Sequence, residues 1–161
     1  MNKEYKKRKN RGAGKIVIIA CYRRPYTKES LVSIENLLKN EKVKQVFILS
    51  ITELKKPGIN IENYLGLKDI KKFKNKVEED KTIRASRYTN RIIEICEKLD
   101  IDFEKIEKKG KASKIILEEA KKHNTSHIVV HKSDKSKIDK RLSGSVSDEV
   151  CKKSMCIVKI L

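Results

Sequence analysis

The sequence predicts an α/β fold: an open, five-stranded parallel sheet with helices on both faces. Three observations support this prediction. Short apolar segments typical of strands alternate along the chain with amphipathic segments typical of helices. The first apolar segment, Lys15–Cys21, is rich in β-branched residues, as strands buried on both faces are. The helical segments supply the crossovers that parallel strands require. A chain of 161 residues fits one domain, which we expect over residues 15–161, after a basic and flexible tail of residues 1–14.

The first part of the chain contains two predicted strands and one predicted helix. Strand Lys15–Cys21 is followed by a helix over Thr27–Asn40 and a strand over Val43–Ser50. The helix is amphipathic, because its apolar residues recur at helical spacing. They are Leu31, Ile34, Leu37 and Leu38.

Residues 51–81 have a weaker pattern. Pro57-Gly58 predicts a turn, and the Lys- and Glu-rich stretch after it is expected to begin a long helix. From residue 82 onward one helical face is clear, and its members are Ile83, Tyr88, Ile92, Ile95, Cys96 and Leu99. Apolar and polar residues then alternate over Ile101–Glu107, which predicts a strand at an edge of the sheet.

A third helix and a fourth strand follow. Gly110 precedes a helical segment with one apolar face, formed by Ala112, Ile115, Ile116 and Ala120. The β-branched segment His127–His131 is the fourth predicted strand. A polar loop over residues 132–143 then leads to the last helix and strand.

The last eighteen residues carry a pattern associated with phosphate binding. Gly144 and Ser145 form a predicted turn that opens a short helix, and Asp148 completes an N-terminal capping pair with Ser145. Such a helix start presents backbone N–H groups and the positive end of the helix dipole, which together can hold phosphate. The helix is expected to end by Lys153, and Cys156–Leu161 is the fifth predicted strand.

The chain is strongly basic, with a net charge of +18. Part of this charge lies in residues 3–15, which have no apolar periodicity. Two interpretations are open: a solvated basic tail, or an electrostatic arm for RNA, DNA or another polyanion. No aromatic platform accompanies the arm, so base stacking on single strands is not supported.

The sequence contains no recognisable membrane-spanning or secretion segment and no cysteine motif. No apolar run approaches the length of a transmembrane helix, and the apolar segment after the basic N-terminus is too short for a secretion signal. We therefore expect no membrane partner and a cytoplasmic protein. The cysteines have no metal-binding spacing with one another or with the histidines, and they are expected to be small buried residues. They are Cys21, Cys96, Cys151 and Cys156.

Three segments resemble the universal stress protein A family. The most specific is the ending Gly144-Ser-Val-Ser, continued by Cys156-x-Val, which is close to the Gly-Ser-Val-Ser/Thr…Cys-Pro-Val ending of the family. The segment from Ile101 through Gly110 to Ala120 matches the family's strand, glycine and helix before the fourth strand, and Lys15-Ile-Val-Ile stands in place of its first strand. The resemblance covers residues 15–161 and implies the same parallel fold.

The resemblance also implies a nucleotide site. Binding members of the family carry Gly-x2-Gly-x9-Gly-Ser/Thr after the fourth strand, and here these glycine positions fall on His131, Asp134 and Gly144. Cys21 stands where binding members have an Asp that meets the adenosine. These departures argue against typical ATP binding, although lysines of the same loop, including Lys132, offset the charge of Asp134. The resemblance implies that ATP, another adenine nucleotide or another phosphate-bearing ligand is held by Gly144, Ser145, Val146, Ser147, His131, Asp134 and Cys21.

No residue set in the sequence forms a convincing catalytic site. Cys21, His131 and Asp134 could be imagined as a triad, but nothing supplies an oxyanion hole. We therefore favour a regulatory, stress-linked module over an enzyme. The alternatives are a nucleic-acid-associated protein that uses residues 3–15 as an arm, and a nucleotide hydrolase of related fold. Homologous proteins often pair the last strand across a two-fold axis, so we expect a homodimer through Cys156–Leu161.

Overall fold

The computed structural model describes residues 14–53, 67–132 and 145–161. The basic segment before Gly14, the Pro57-Gly58 turn and most of the predicted phosphate loop, with Asp134 and Gly144, lie outside the described residues. The strands are β1 (Lys15–Cys21), β2 (Val43–Thr52), β3 (Asp102–Lys109), β4 (His127–Val130) and β5 (Ile157–Ile160). The helices are α1 (Lys28–Asn40), α2 (Leu67–Tyr88), α3 (Asn90–Lys98), α4 (Ala112–Lys122) and α5 (Val146–Lys153).

The five strands form one parallel sheet in the order β3-β2-β1-β4-β5. This confirms the predicted sheet and the edge position of β3. From β1 the chain builds outward through β2 to β3, and then returns to the other side of β1 for β4 and β5. The strand order therefore reverses between β1 and β4, and the carboxyl ends of these two strands lie at the switch point where open α/β sheets bind ligands.

Helices cover both faces of the sheet, as the sequence predicts. Successive residues of β1 point to opposite faces, so Ile18 and Ala20 join one buried cluster, with residues of α4 and α5. Val17 and Ile19 join the other cluster, with residues of α1 and α3. Ile18 and Ile19 are fully buried, and each such side chain stabilises the fold by about 1.5–3 kcal/mol.

Most helix boundaries agree with the sequence pattern. Thr27 caps α1, because its side chain accepts a hydrogen bond from the Ser30 N–H. The predicted apolar face of α4 is confirmed by the burial of Ala112, Ile115, Ile116 and Ala120.

The single long helix expected after residue 59 is instead two helices, with a break at the buried residue Thr89. Ile92 and Ile95 of α3 are buried as predicted, but Ile83 of α2 is 45% exposed, so its assignment to the same buried face was wrong. Ile83 is nine residues from Ile92, which is about two and a half helical turns, so the two side chains lie on opposite sides of a helix.

The cysteines divide into two classes. Cys21 and Cys96 are buried as predicted, whereas Cys151 is exposed and Cys156 is half-buried. Cys151 follows the buried residue Val150 on the short helix α5 and therefore faces solvent. In the described part of the chain, no helix is both long and apolar enough to cross a bilayer.

Candidate functional site

A small cavity lies at the switch point, between the ends of β1 and β4 and the start of α5. Its volume is about 20 Å³, which is room for about one water molecule. β1 and the turn after it contribute three residues, β4 and the turn after it two, and α5 two. The lining residues are Tyr22, Arg23, Arg24, His131, Lys132, Val146 and Ser147.

The start of α5 forms one wall of this cavity. Ser145 is the N-cap: its backbone is extended, and its hydroxyl accepts a hydrogen bond from the Asp148 N–H at 3.1 Å. The Oγ atoms of Ser145 and Ser147 lie 3.0 Å apart, and both residues are buried. The predicted cap is thus confirmed. N–H groups of a first helical turn have no partner within their own helix, so this wall has a positive potential.

Two arginines bring further positive charge to the cavity. The Arg23 Nε donates a hydrogen bond of 2.6 Å to Glu53 at the end of β2. Arg24 donates one of 2.9 Å to the backbone oxygen of Lys132, and so joins the turn after β1 to the turn after β4. Arg23 has a φ of 63°, which is uncommon for a residue with a side chain. The surrounding contacts hold this conformation, and it places consecutive arginines at the carboxyl edge of the sheet.

An aromatic cluster closes the back of the cavity. The ring of His131 stacks on Tyr26, with centroids 4.0 Å apart, and meets Tyr22 edge to face at 5.0 Å. Burial raises the pKa of Tyr22 to about 12 and that of Tyr26 well above its usual value, so both phenols are neutral at physiological pH. The His131 side chain therefore fills space that a glycine at the same position would leave open.

Four of the predicted site residues lie at or beside the cavity, and Cys21 is buried without lining it. His131, Val146 and Ser147 line the cavity, and Ser145 lies beside them. Cys21 is fully buried in the cluster on the other face of the sheet, and burial raises the pKa of its thiol to about 12. Tyr26, on which His131 stacks, belongs to the same cluster, and Cys21 is not among the residues that line the cavity.

Sequence reasoning missed Tyr22, Arg23 and Arg24. A signal for the arginines was present: two adjacent guanidinium groups follow the first buried strand directly. The carboxyl ends of parallel strands meet at one edge, where ligands bind. No group of three or more potential metal ligands occurs within residues 14–53, 67–132 and 145–161.

Glu149 fixes the position of α5 against α4. Its carboxylate accepts hydrogen bonds from the Ser113 hydroxyl at 2.7 Å and the Lys111 ammonium at 3.0 Å, both at the start of α4. Lys153 of α5 lies 3.4 Å from the same carboxylate. These donors, Ser113 foremost, lower the pKa of Glu149 from 4.5 to about 2. The contact of Glu149 with α4 therefore holds the start of α5, with Ser145 and Ser147, in place.

Comparison with solved structures gives several proteins of the same fold. The universal stress protein UspA from Lactobacillus plantarum is 10% identical with a TM-score of 0.63, and the match covers 91% of this chain and 97% of that one. A universal stress protein from Archaeoglobus fulgidus DSM 4304 is 23% identical with a TM-score of 0.63, over 91% of this chain and 48% of that one. An Arabidopsis thaliana family protein, solved with AMP bound, is 16% identical with a TM-score of 0.53, over 91% and 90% of the two chains.

Sequence comparison adds one further result. A search of curated proteins gives no match. The model of the universal stress protein family matches residues 69–161, which are more than half of the chain. This matched region contains β3 and β4 together with α5 and β5, and the most specific part of the motif lies at α5 and β5. The chain therefore belongs to the universal stress protein family.

Proposed function

We propose that this protein is a regulatory module that binds an adenine nucleotide over the carboxyl ends of β1 and β4, with a phosphate group at the mouth of the small cavity between β1, β4 and α5, without turnover. The observation that carries the proposal is that three cationic residues, of which Arg23 also pairs with Glu53, and one helix start line a single cavity. The cationic residues are Arg23, Arg24 and Lys132, and the helix start is that of α5. Phosphate is the ligand group that both features favour.

The position of the cavity supports a nucleotide rather than free phosphate. It lies at the switch point between β1 and β4, where doubly wound sheets bind nucleotides. The Arabidopsis thaliana relative with this fold was solved with AMP bound.

His131 occupies the position of the first glycine in the family's phosphate loop, and its bulk favours a ligand with a short phosphate chain. His131 is buried between Tyr22 and Tyr26, so its backbone cannot be approached as closely as that of a glycine. We therefore expect AMP to bind at least as tightly as ATP, although ATP carries more charge.

Calorimetric titration with AMP, ADP and ATP tests the proposal, together with the substitution Arg24→Gln. Loss of one charged hydrogen bond costs about 1.5–3 kcal/mol, so the dissociation constant for AMP should rise by about ten- to a hundredfold. Arg91→Gln is the matched control, because Arg91 is 73% exposed on α3 and pairs only with Glu94 among the described residues.

Three results would contradict the proposal. The first is the absence of any heat of binding with all three nucleotides. The second is an equal change of the dissociation constant for AMP in Arg24→Gln and Arg91→Gln. The third is release of phosphate from ATP by the purified protein.

A further inference from the structure

A second charged surface lies at the opposite end of the sheet. All five strands begin at this amino edge, and α1, α4 and α5 end there, because each returns from the carboxyl edge. The strand starts and helix ends are rich in lysine. We call the following residues the basic edge: Lys15, Lys39, Lys42, Lys44, Lys121 and Lys152.

The charge of the basic edge is only partly neutralised. Lys15 pairs with Glu41, and Lys39 pairs with Glu35 at 2.8 Å. The other four lysines form no salt bridge with any residue that the structure describes. Lys42, Lys121 and Lys152 are exposed, and Lys44 is half-buried. The six residues therefore carry an excess of positive charge, whereas Asp100 and Asp102 lie at the start of β3 at the same end of the sheet.

Gly14, the first residue that the structure describes, lies at the same edge. Gly14 packs so closely against β2 that a Cβ atom there would lie 2.7 Å from the Cβ of Lys44. The next residue, Lys15, donates its backbone N–H to the Lys42 oxygen at 3.2 Å. The sequence immediately before Gly14 contains six basic residues and one acidic residue, Glu4, within residues 1–13. The sequence that adjoins the edge therefore carries charge of the same sign as the edge.

We propose that the basic edge binds the phosphate backbone of double-stranded nucleic acid without sequence preference. The cations are ammonium groups from the ends of separate elements, an arrangement suited to phosphates spaced along a duplex. Stacking on single strands is disfavoured, since the exposed aromatic side chain of the described residues, Phe73, lies on α2. An anionic lipid surface would attract the same lysines electrostatically, so vesicles are included in the test.

Salt-dependent binding of the full chain to a 20-base-pair duplex tests the proposal. The key variant is Lys42→Asn with Lys44→Gln. Asparagine tolerates the φ of 48° at position 42, and glutamine keeps the Cβ that contacts Gly14. Loss of two phosphate contacts should weaken binding about tenfold or more at 0.1 M salt and reduce the slope of log K against log salt by about 2.

The matched control is Lys28→Gln with Lys114→Gln, which has the same net charge. Both residues are exposed at the starts of α1 and α4, away from the basic edge. The control should bind the duplex with nearly the affinity of the parent. Both double variants should bind AMP with the affinity of the parent. If Lys42→Asn with Lys44→Gln does not fold, Lys121→Gln with Lys152→Gln replaces it as the test variant, because it removes two charges of the basic edge at the ends of α4 and α5.

Parallel titrations with duplex DNA, duplex RNA, single-stranded DNA and vesicles of anionic lipid identify the source of the phosphate. Preferred binding of either duplex supports the proposal. It is overturned if neither duplex binds at 50 mM salt, if the control loses as much affinity as the edge variant, or if the vesicles or the single strand bind more tightly than both duplexes.

Discussion

Glu149 shows how a single side chain joins two helices that are distant in sequence. The Ser113 hydroxyl and the Lys111 ammonium at the start of α4 both donate to it, and this charged contact anchors α5. Ser113 is fully buried, so loss of its partner would leave a buried hydroxyl without that hydrogen bond.

The lowered pKa of Glu149 predicts a pH dependence of stability. Because the pKa is about 2 in the folded protein and 4.5 ordinarily, the contact stabilises the fold above pH 4.5 and is lost as the pH falls toward 2. Glu149→Gln should therefore lower the free energy of unfolding at pH 7, and the difference from the parent should shrink as the pH falls from 4.5 to 2. Urea unfolding at several pH values measures this.

Glu118→Gln is the control for that experiment, since Glu118 is 63% exposed and its ammonium partner, Lys114, lies 3.9 Å away. Pairs of this kind contribute about 0–1 kcal/mol. A difference between Glu149→Gln and the parent that stayed constant from pH 7 to pH 2 would refute the assigned role of the carboxylate.

At the scale of elements, the start of α5 serves both the fold and the candidate site. Ser145→Ala removes the cap and should lower the free energy of unfolding by about 0.5–2 kcal/mol. It should also weaken AMP binding, because the first turn of α5 forms a wall of the cavity. Chemical unfolding and calorimetry measure the two effects.

Thr27→Ala is the matched substitution, since Thr27 caps α1 through the same type of hydrogen bond. We expect a similar loss of stability with unchanged AMP affinity. Equal losses of AMP affinity in the two variants would mean that the α5 cap acts on binding only through overall stability.

At the scale of the whole molecule, the outer strand β5 has an apolar exposed surface. Ile157 is 63% exposed and Ile160 is 45% exposed, and β4 pairs with only one side of the strand. Uncovered apolar edge strands favour association with another chain. The dimer through Cys156–Leu161 that the sequence suggested stays a prediction, and these exposures support it.

Ile160→Lys should convert the expected dimer into a monomer, because it places a charge on the uncovered edge. Val32→Lys is the control, since Val32 is 59% exposed on α1. Sedimentation equilibrium over a hundredfold concentration range gives the mass of each protein. A monomer mass for the parent at every concentration would exclude the dimer.

The sequence by itself determined the strands, most helices, the α5 cap and the family. These features depend on local patterns: apolar periodicity, β-branched runs and capping residues next to the N–H groups they satisfy. The assignment of Ile83 to the buried face was wrong, because its spacing from Ile92 is about two and a half helical turns, which places the two side chains on opposite sides of a helix, and Ile83 is exposed.

Only the tertiary structure decided the composition of the candidate site. The pairing of β1 with β4 joins residues more than 100 positions apart, and it brings Arg24 to the backbone of Lys132 and Tyr22 to His131. Cys21 packs in the cluster that also contains Tyr26 and is not among the residues that line the cavity. Local periodicity carries no information on which strands become neighbours, because that choice is made by long-range packing.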